Sequence, residues 1–195
     1  MPEPPAQQRR WLLLIYRVPQ DPPGRRTYVW RQLRQLGAVY LQQAAAILPD
    51  QGDLRTALDT LAERIHDYTG EVSLLETTSP NAVWEEQVIA RFNEARDAEY
   101  SEVVENVERF EDEIRREERK GRFRFAQLED LEADCHKLTQ WCERIAGRDF
   151  FAAPGRAAAA EALTRARTAL ESFTAAVYAH EQGESNHDGA RDERT

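Results

Sequence analysis

The first 49 residues contain seven cations, and all seven are arginine: Arg9, Arg10, Arg17, Arg25, Arg26, Arg31 and Arg34. Only Glu3 and Asp21 oppose them, which leaves this stretch at +5 within a chain of 195 residues whose net charge is −9. A guanidinium offers a planar fork of N–H donors that matches phosphate and other oxyanions, which a lysine ammonium does not. A basic patch on an acidic chain points to a local anion-docking surface, not to general nucleic-acid affinity. Arg17 follows a short apolar run, and Arg25 and Arg26 open the first predicted helix. The free N–H groups and dipole of a helix amino terminus attract anions at such a place. Arg31 and Arg34 fall opposite the apolar stripe of the same helix. Arg17, Arg25, Arg26, Arg31 and Arg34 are therefore the candidate anion- or DNA-binding residues. The competing reading is that they are surface cations paired with the acidic remainder of the chain.

Other chemistry is sparse. Glu94, Asp97, Glu99, Glu102, Glu105 and Glu108 crowd one predicted helix, but most fall off its apolar stripe and read as a solvated face. Glu99 is the exception, sitting in the stripe between Ala95 and Val103. A buried acid needs a partner, and Arg96 or Arg148 can supply one. Glu132 and His136 are four apart, where di-metal bundle proteins use a spacing of three. Cys135 and Cys142 lie seven apart on one predicted helix, about 10 Å along its axis, beyond disulfide reach. His66, His136, His180 and His187 are scattered. With no Gly-rich phosphate loop, nucleophile elbow or paired Cys/His set, the sequence predicts no metal, no cofactor and no enzyme.

These residues need positioning, and the chain changes texture to provide it. Met1 to Gln8 is Pro-rich, and residues 1–9 read as a loose terminus. Trp11 to Tyr16 fits a strand buried on both faces. Asp21-Pro-Pro-Gly24 is a turn. Arg25 to Leu36 follows helix period and ends at Gly37. Val39 to Leu48 reads as a strand pair or one long strand. Asp53 is the expected N-cap of a helix carrying Leu54, Leu58, Leu61 and Ile65, and Val72 to Leu75 is a further strand. The order β-α-β(β)-α-β over residues 10–78 predicts a ferredoxin-like α+β part. Ser79-Pro80 then signals a helix start. Three long apolar-striped helices follow, one of them with Leu128, Leu131, Cys135, Leu138, Cys142 and Ile145 at heptad spacing. They predict an antiparallel three-helix bundle over 79–181. Residues 182–195 are polar and aperiodic, and read as a disordered tail. The end of the first long helix, Arg115 to Lys120, has no apolar position and is expected to protrude. The longest apolar run, Trp11 to Tyr16, has six residues, against about 20 for a membrane span. With no secretory signal pattern either, the chain is expected in the cytoplasm and away from the membrane.

Several short motifs occur in a fixed order. Trp11-Leu-Leu-Leu-Ile-Tyr-Arg-Val-Pro19, Val29-Trp-Arg-Gln-Leu33, Leu36-Gly-Ala38 and Leu48-Pro49 are followed by Phe92-Asn-Glu-Ala-Arg-Asp-Ala-Glu-Tyr100, Phe110-Glu-Asp-Glu-Ile114, Arg122-Phe-Arg-Phe125 and Arg148-Asp-Phe-Phe151. Together they resemble the amino-terminal domain of the chromate-resistance regulator family ChrB, over about residues 10–180. The resemblance implies a chromate-responsive transcriptional regulator that controls a chromate efflux pump, with no catalysis by this domain. Full-length members carry a second, carboxy-terminal domain.

Two readings of function follow. In the first, the chain is a regulator responding to an oxyanion such as chromate, with promoter DNA as partner and a homodimer doubling a weak basic patch. In the second, it is a non-catalytic protein-interaction module without DNA binding, built around the helices. A metal- or redox-active enzyme using Glu99, Cys135 and Cys142 ranks last.

Overall fold

The computed structural model describes residues 9–21 and 23–192, the last ten by their backbone alone. The elements run β1 (Arg10–Arg17), α1 (Arg25–Gln35), β2 (Val39–Gln42), β3 (Ala45–Pro49), α2 (Leu54–Asp67), β4 (Glu71–Thr78), α3 (Ala82–Arg119), α4 (Phe125–Ala146) and α5 (Gly155–Asp192). The fold is α+β, with one four-stranded antiparallel sheet in the order β2-β3-β1-β4. Two compact units divide it. One runs to Ala95 and takes in Arg148–Ala153; the other holds Arg96–Gly147 and the chain from Pro154. The division expected at 78/79 thus differs from the observed one, which falls inside α3.

In the first unit, the alternation of a strand puts successive side chains of β1 on opposite faces. Leu12 and Leu14 are buried together with Ala46 and Leu48 of β3, Val29 and Leu33 of α1, and Leu58 and Ile65 of α2. Trp11 faces the other way, with Val39 and Ile47 of the sheet and Val88 and Phe92 from the start of α3. Each fully buried Leu or Ile contributes about 1.5–3 kcal/mol of transfer free energy, so this two-sided core sets the register of β1. Burial on both faces holds for the first half of β1 only, because Ile15 is 43% exposed. The run from Val39 resolves as two strands because Gln43 and Ala44 make the turn of a hairpin.

The second unit is built from α3 beyond Ala95, α4 and α5. Val103, Val107, Phe110 and Ile114 of α3 are buried, as are Leu128, Leu131, Cys135 and Ile145 of α4 and Ala162, Ala166, Phe173 and Val177 of α5. Leu138 and Cys142 of the expected seam are only half-buried. Both cysteines are free, and burial pushes both thiols above their ordinary range.

Several local expectations differ from the structure. Asp53 holds the N-cap position of α2 as expected, but its side chain makes no capping bond. The start of α3 is capped by Asn81, whose Oδ1 accepts the Trp84 N–H at 2.9 Å. Ser79 instead accepts the indole N–H of Trp11 at 2.9 Å, inside the core. Asp97 is not simply part of a solvated face: its Oδ1 accepts the Gly155 N–H at 2.7 Å, at the first residue of α5. The end of α3 carries a buried acid, Glu117, paired with Lys120 at 2.9 Å and lying 3.9 Å from Arg122. The stretch expected to be disordered from 182 continues α5 as far as Asp192. Intrahelical hydrogen bonds need no apolar face, so lack of periodicity does not exclude a helix there. Residues 1–8 of the expected loose terminus and 193–195 of the expected tail lie outside the described residues.

Candidate functional site

Where β1 ends and α1 begins, the first unit opens into a cleft of about 1030 Å³. Its walls include Tyr16 and Arg17 from β1, the connection from Val18 to Gly24, Arg26, Thr27 and Trp30 from α1, Tyr40 and the hairpin turn after it, and Thr69 and Glu71 on either side of the α2–β4 turn. The sequence fold-back brings these together. The α1 stripe of Val29 and Leu33 packs down on the sheet, which turns the first turn of α1 toward the end of β1.

That first turn is open. Gly24 precedes it at φ 100°, a conformation that only glycine adopts without strain. Its N-cap residue, Gly24, has no side chain to cap the helix, and the first turn holds no acid. The first intrahelical bond is Tyr28 N–H to the Gly24 carbonyl at 2.8 Å, so the N–H groups of Arg25, Arg26 and Thr27 precede the helical ladder. Two arginines in this turn oppose the helix dipole, and a bound anion would offset that repulsion. Tyr40 Oη and Tyr16 Oη lie 2.9 Å apart on another wall. Burial, and then the Tyr16 hydroxyl, push the Tyr40 phenol above its ordinary range. It therefore remains a neutral hydroxyl over the whole working pH range.

The five arginines singled out in the sequence do not form one patch. Arg17 and Arg26 line the cleft. Arg17 is ion-paired with Glu71, both of them well exposed, so the pair is worth little and can open. Arg26 is exposed, with no ion-pair partner among the described residues. Arg25 turns away: its Nη1 donates to the Tyr68 carbonyl at 3.2 Å and its guanidinium stacks on the Tyr68 ring, 5.1 Å from the centroid. Arg31 is exposed outside the cleft, and Arg34 stacks over Trp30 at 5.0 Å. Of the neighbouring cations, Arg9 pairs with Glu85 at 3.1 Å and Arg10 with Asp50 at 3.5 Å.

The buried polar candidates divide between the units. Glu99, 7% exposed, is ion-paired at 3.3 Å with Arg96, 4% exposed, one helical turn earlier on α3. Arg148 belongs to the first unit, where its Nη1 donates to the Arg34 carbonyl at 2.9 Å. Among the described residues, no three His, Cys, Asp or Glu side chains gather as a metal site, and no helix is long and apolar enough to cross a membrane.

Sequence reading missed Tyr16, Tyr40, Thr69 and the hairpin turn as cleft walls. Tyr16 and Tyr40 look like strand residues, and nothing local in the sequence signals that two distant hydroxyls meet. The one available signal was the glycine after Thr69, which marks a tight turn but not what it faces.

The family model for the amino-terminal part of Protein ChrB matches residues 26–184. The curated Protein ChrB of Cupriavidus metallidurans is 32% identical over 99 residues, which cover 51% of this chain and 30% of that protein. The aligned stretch therefore spans less than a third of the relative's length. No solved structure matches the chain significantly. The family match takes in α1, the hairpin, α2 and all three long helices, more than four-fifths of the sequence, and the chain belongs to the ChrB amino-terminal family.

Proposed function

We propose that this chain is a regulatory module of the chromate-resistance kind, which binds a tetrahedral oxyanion such as chromate and contacts promoter DNA. The observation that carries the reading is the uncapped, acid-free first turn of α1, with Arg26 and Arg17 beside it in the cleft. Backbone N–H groups, a guanidinium fork and neutral hydroxyls are the donor set that an oxyanion requires. Membership of the ChrB family supports chromate as the anion. Arg31, exposed outside the cleft on the same helix, and Arg34 beside it, whose guanidinium lies on the Trp30 ring, are assigned to DNA phosphates. We assign the chain no catalytic step and place it in the cytoplasm.

The same reading extends to the architecture. The sheet order β4-β1-β3-β2, with α1 and α2 packed over Leu12 and Leu14, supports a ferredoxin-like first unit. The short connections between α3, α4 and α5 support an antiparallel three-helix bundle in the second.

The test is a mobility shift with the promoter segment upstream of the chain's own coding region. Chromate should change the affinity of the native chain for this DNA and leave the Arg26→Ala variant unresponsive. Replacing Arg31 and Arg34 with Ala should weaken DNA binding and lower its salt slope by about two. Unchanged DNA affinity in the Arg31→Ala/Arg34→Ala variant would remove the DNA role. One observation favours the second reading, a protein-interaction module without DNA binding: Arg9, Arg10 and Arg17 are already paired with Glu85, Asp50 and Glu71, which cancels part of the basic quarter.

A further inference from the structure

The two edges of the sheet are treated very differently. β2 is an edge of four residues, bulged between Tyr40 and Gln42, and the Tyr40 carbonyl accepts a bond from Arg91 Nη1 at 3.4 Å. Shortness, a bulge and a covering cation are the devices by which proteins block edge-to-edge pairing. β4, the other edge, has eight residues, Glu71–Thr78, and pairs with β1 in unbroken register along its whole length. Among the described residues nothing pairs with its outer side. It also presents apolar surface. Leu75 is 47% exposed and, on the same face of the neighbouring strand, so is Ile15 at 43%.

From this asymmetry we infer that β4 is a self-association edge, on which a second copy of this chain adds its own β4 antiparallel to make a continuous eight-stranded sheet. A two-fold axis normal to the sheet keeps each side chain on its own face. In the register centred on Leu75, Leu75 meets Leu75 of the second copy, Ser73 meets Thr77, Leu74 meets Glu76, and Glu71 meets Ser79. No carboxylate then lies directly opposite another, which is the arrangement that cross-strand pairing disfavours. Both glutamates of β4 already have cations from their own chain, Arg17 for Glu71 and Arg55 for Glu76 at 2.7 Å. The strand is thus self-complementary in shape and charge. A peptide of another protein would need a matching pattern of its own. The inference does not depend on the oxyanion reading, since no residue of the pairing except Glu71 lines the cleft.

Sedimentation velocity on the full chain at tens of micromolar should return twice the 22.5 kDa chain mass. Leu75→Lys places two like charges on the axis and should return the single-chain mass, with an unchanged far-UV spectrum. Leu75→Cys gives an independent reading that does not depend on that variant folding. Directly opposed residues on antiparallel strands have Cβ atoms about 4.5–5.5 Å apart, close to disulfide range. Mild oxidation should therefore yield a covalent dimer from Leu75→Cys and none from Val83→Cys, whose position is 64% exposed and off the edge. A single-chain mass for the native protein would overturn the inference. So would a dimer that Leu75→Lys leaves intact, or equal cross-linking at 75 and 83.

Discussion

Ser79→Ala tests whether the first unit is organised around Trp11. The indole is fully buried, and its ring lies 6.1 Å from Trp84, 6.0 Å from Phe92 and 5.9 Å from Phe151, centroid to centroid. Its N–H has one acceptor, Ser79 Oγ, at 2.9 Å. That hydroxyl in turn donates to Glu85 Oε2 at 2.5 Å, and Glu85 also accepts from Arg9 Nε at 3.1 Å. Removing Oγ leaves a buried donor without an acceptor, which costs about 1–3 kcal/mol. The carboxylate loses little, because it keeps Arg9 and reaches solvent. The expected loss is about 2 kcal/mol for Ser79→Ala, and under about 1 kcal/mol for Ser79→Thr, which retains the hydroxyl. At a urea slope of about 2 kcal/mol per molar, the Ala variant should lower the fluorescence-detected midpoint of the first unit by about 1 M with no change of slope. A midpoint within experimental error of the native one would show that the Trp11–Ser79 bond does not hold the core, and the reasoning would fail.

Three further substitutions bear on the frame around the site. A Cβ at Gly70 would lie 2.6 Å from the Arg17 carbonyl oxygen and 2.8 Å from Ile65 Cγ2, so Gly70→Ala should destabilise the first unit by about 1–3 kcal/mol in urea unfolding. Asp97→Ala removes the acceptor at the amino terminus of α5 and should lower the stability of the second unit by about 1 kcal/mol, with Asp97→Asn intermediate, as read by thermal denaturation. Glu117 is held below its ordinary carboxyl value of 4.5, first by its bond from Lys120. A depressed folded-state value means that its stabilisation is complete above about pH 4.5 and is lost as pH falls through the folded value. Glu117→Gln should therefore flatten the acid limb of a stability-against-pH curve below about pH 4.5 and leave the neutral limb parallel to that of the native chain.

The elements were legible where one physical signal dominated. The apolar run from Trp11 and the stripe of Val29 and Leu33 each located an element to within a residue or two, because period and burial agree there, and the heptad spacing from Leu128 located α4 to within three residues although Leu138 and Cys142 are only half-buried. Glu99 was legible as a buried acid for the same reason: a charge in an apolar stripe has to find a partner, and Arg96 is one. The roles of hydroxyls and short acids were not legible. Ser79 looked like a cap and is a core acceptor; Asp97 looked solvated and serves a helix 58 residues away. Such bonds depend on where the chain returns in space, and no local pattern encodes that. The candidate site was half visible. Arg17 and Arg26 and the start of α1 could be named, but Arg25 and Arg34 are drawn off by Tyr68 and Trp30. Stacking of a guanidinium on a ring depends on tertiary placement, and the net charge of a segment cannot report it.

The central claim is that the open first turn of α1 and Arg26 hold an oxyanion, and calorimetric titration of the purified chain with chromate tests it most directly. The account predicts saturable binding at one site per chain. Arg26→Ala should weaken it roughly ten- to hundredfold, the range expected for one hydrogen bond to a charged group, whereas Arg31→Ala, outside the cleft, should leave it unchanged. An absence of binding by the native chain, or equal affinity in native and Arg26→Ala proteins, would contradict it.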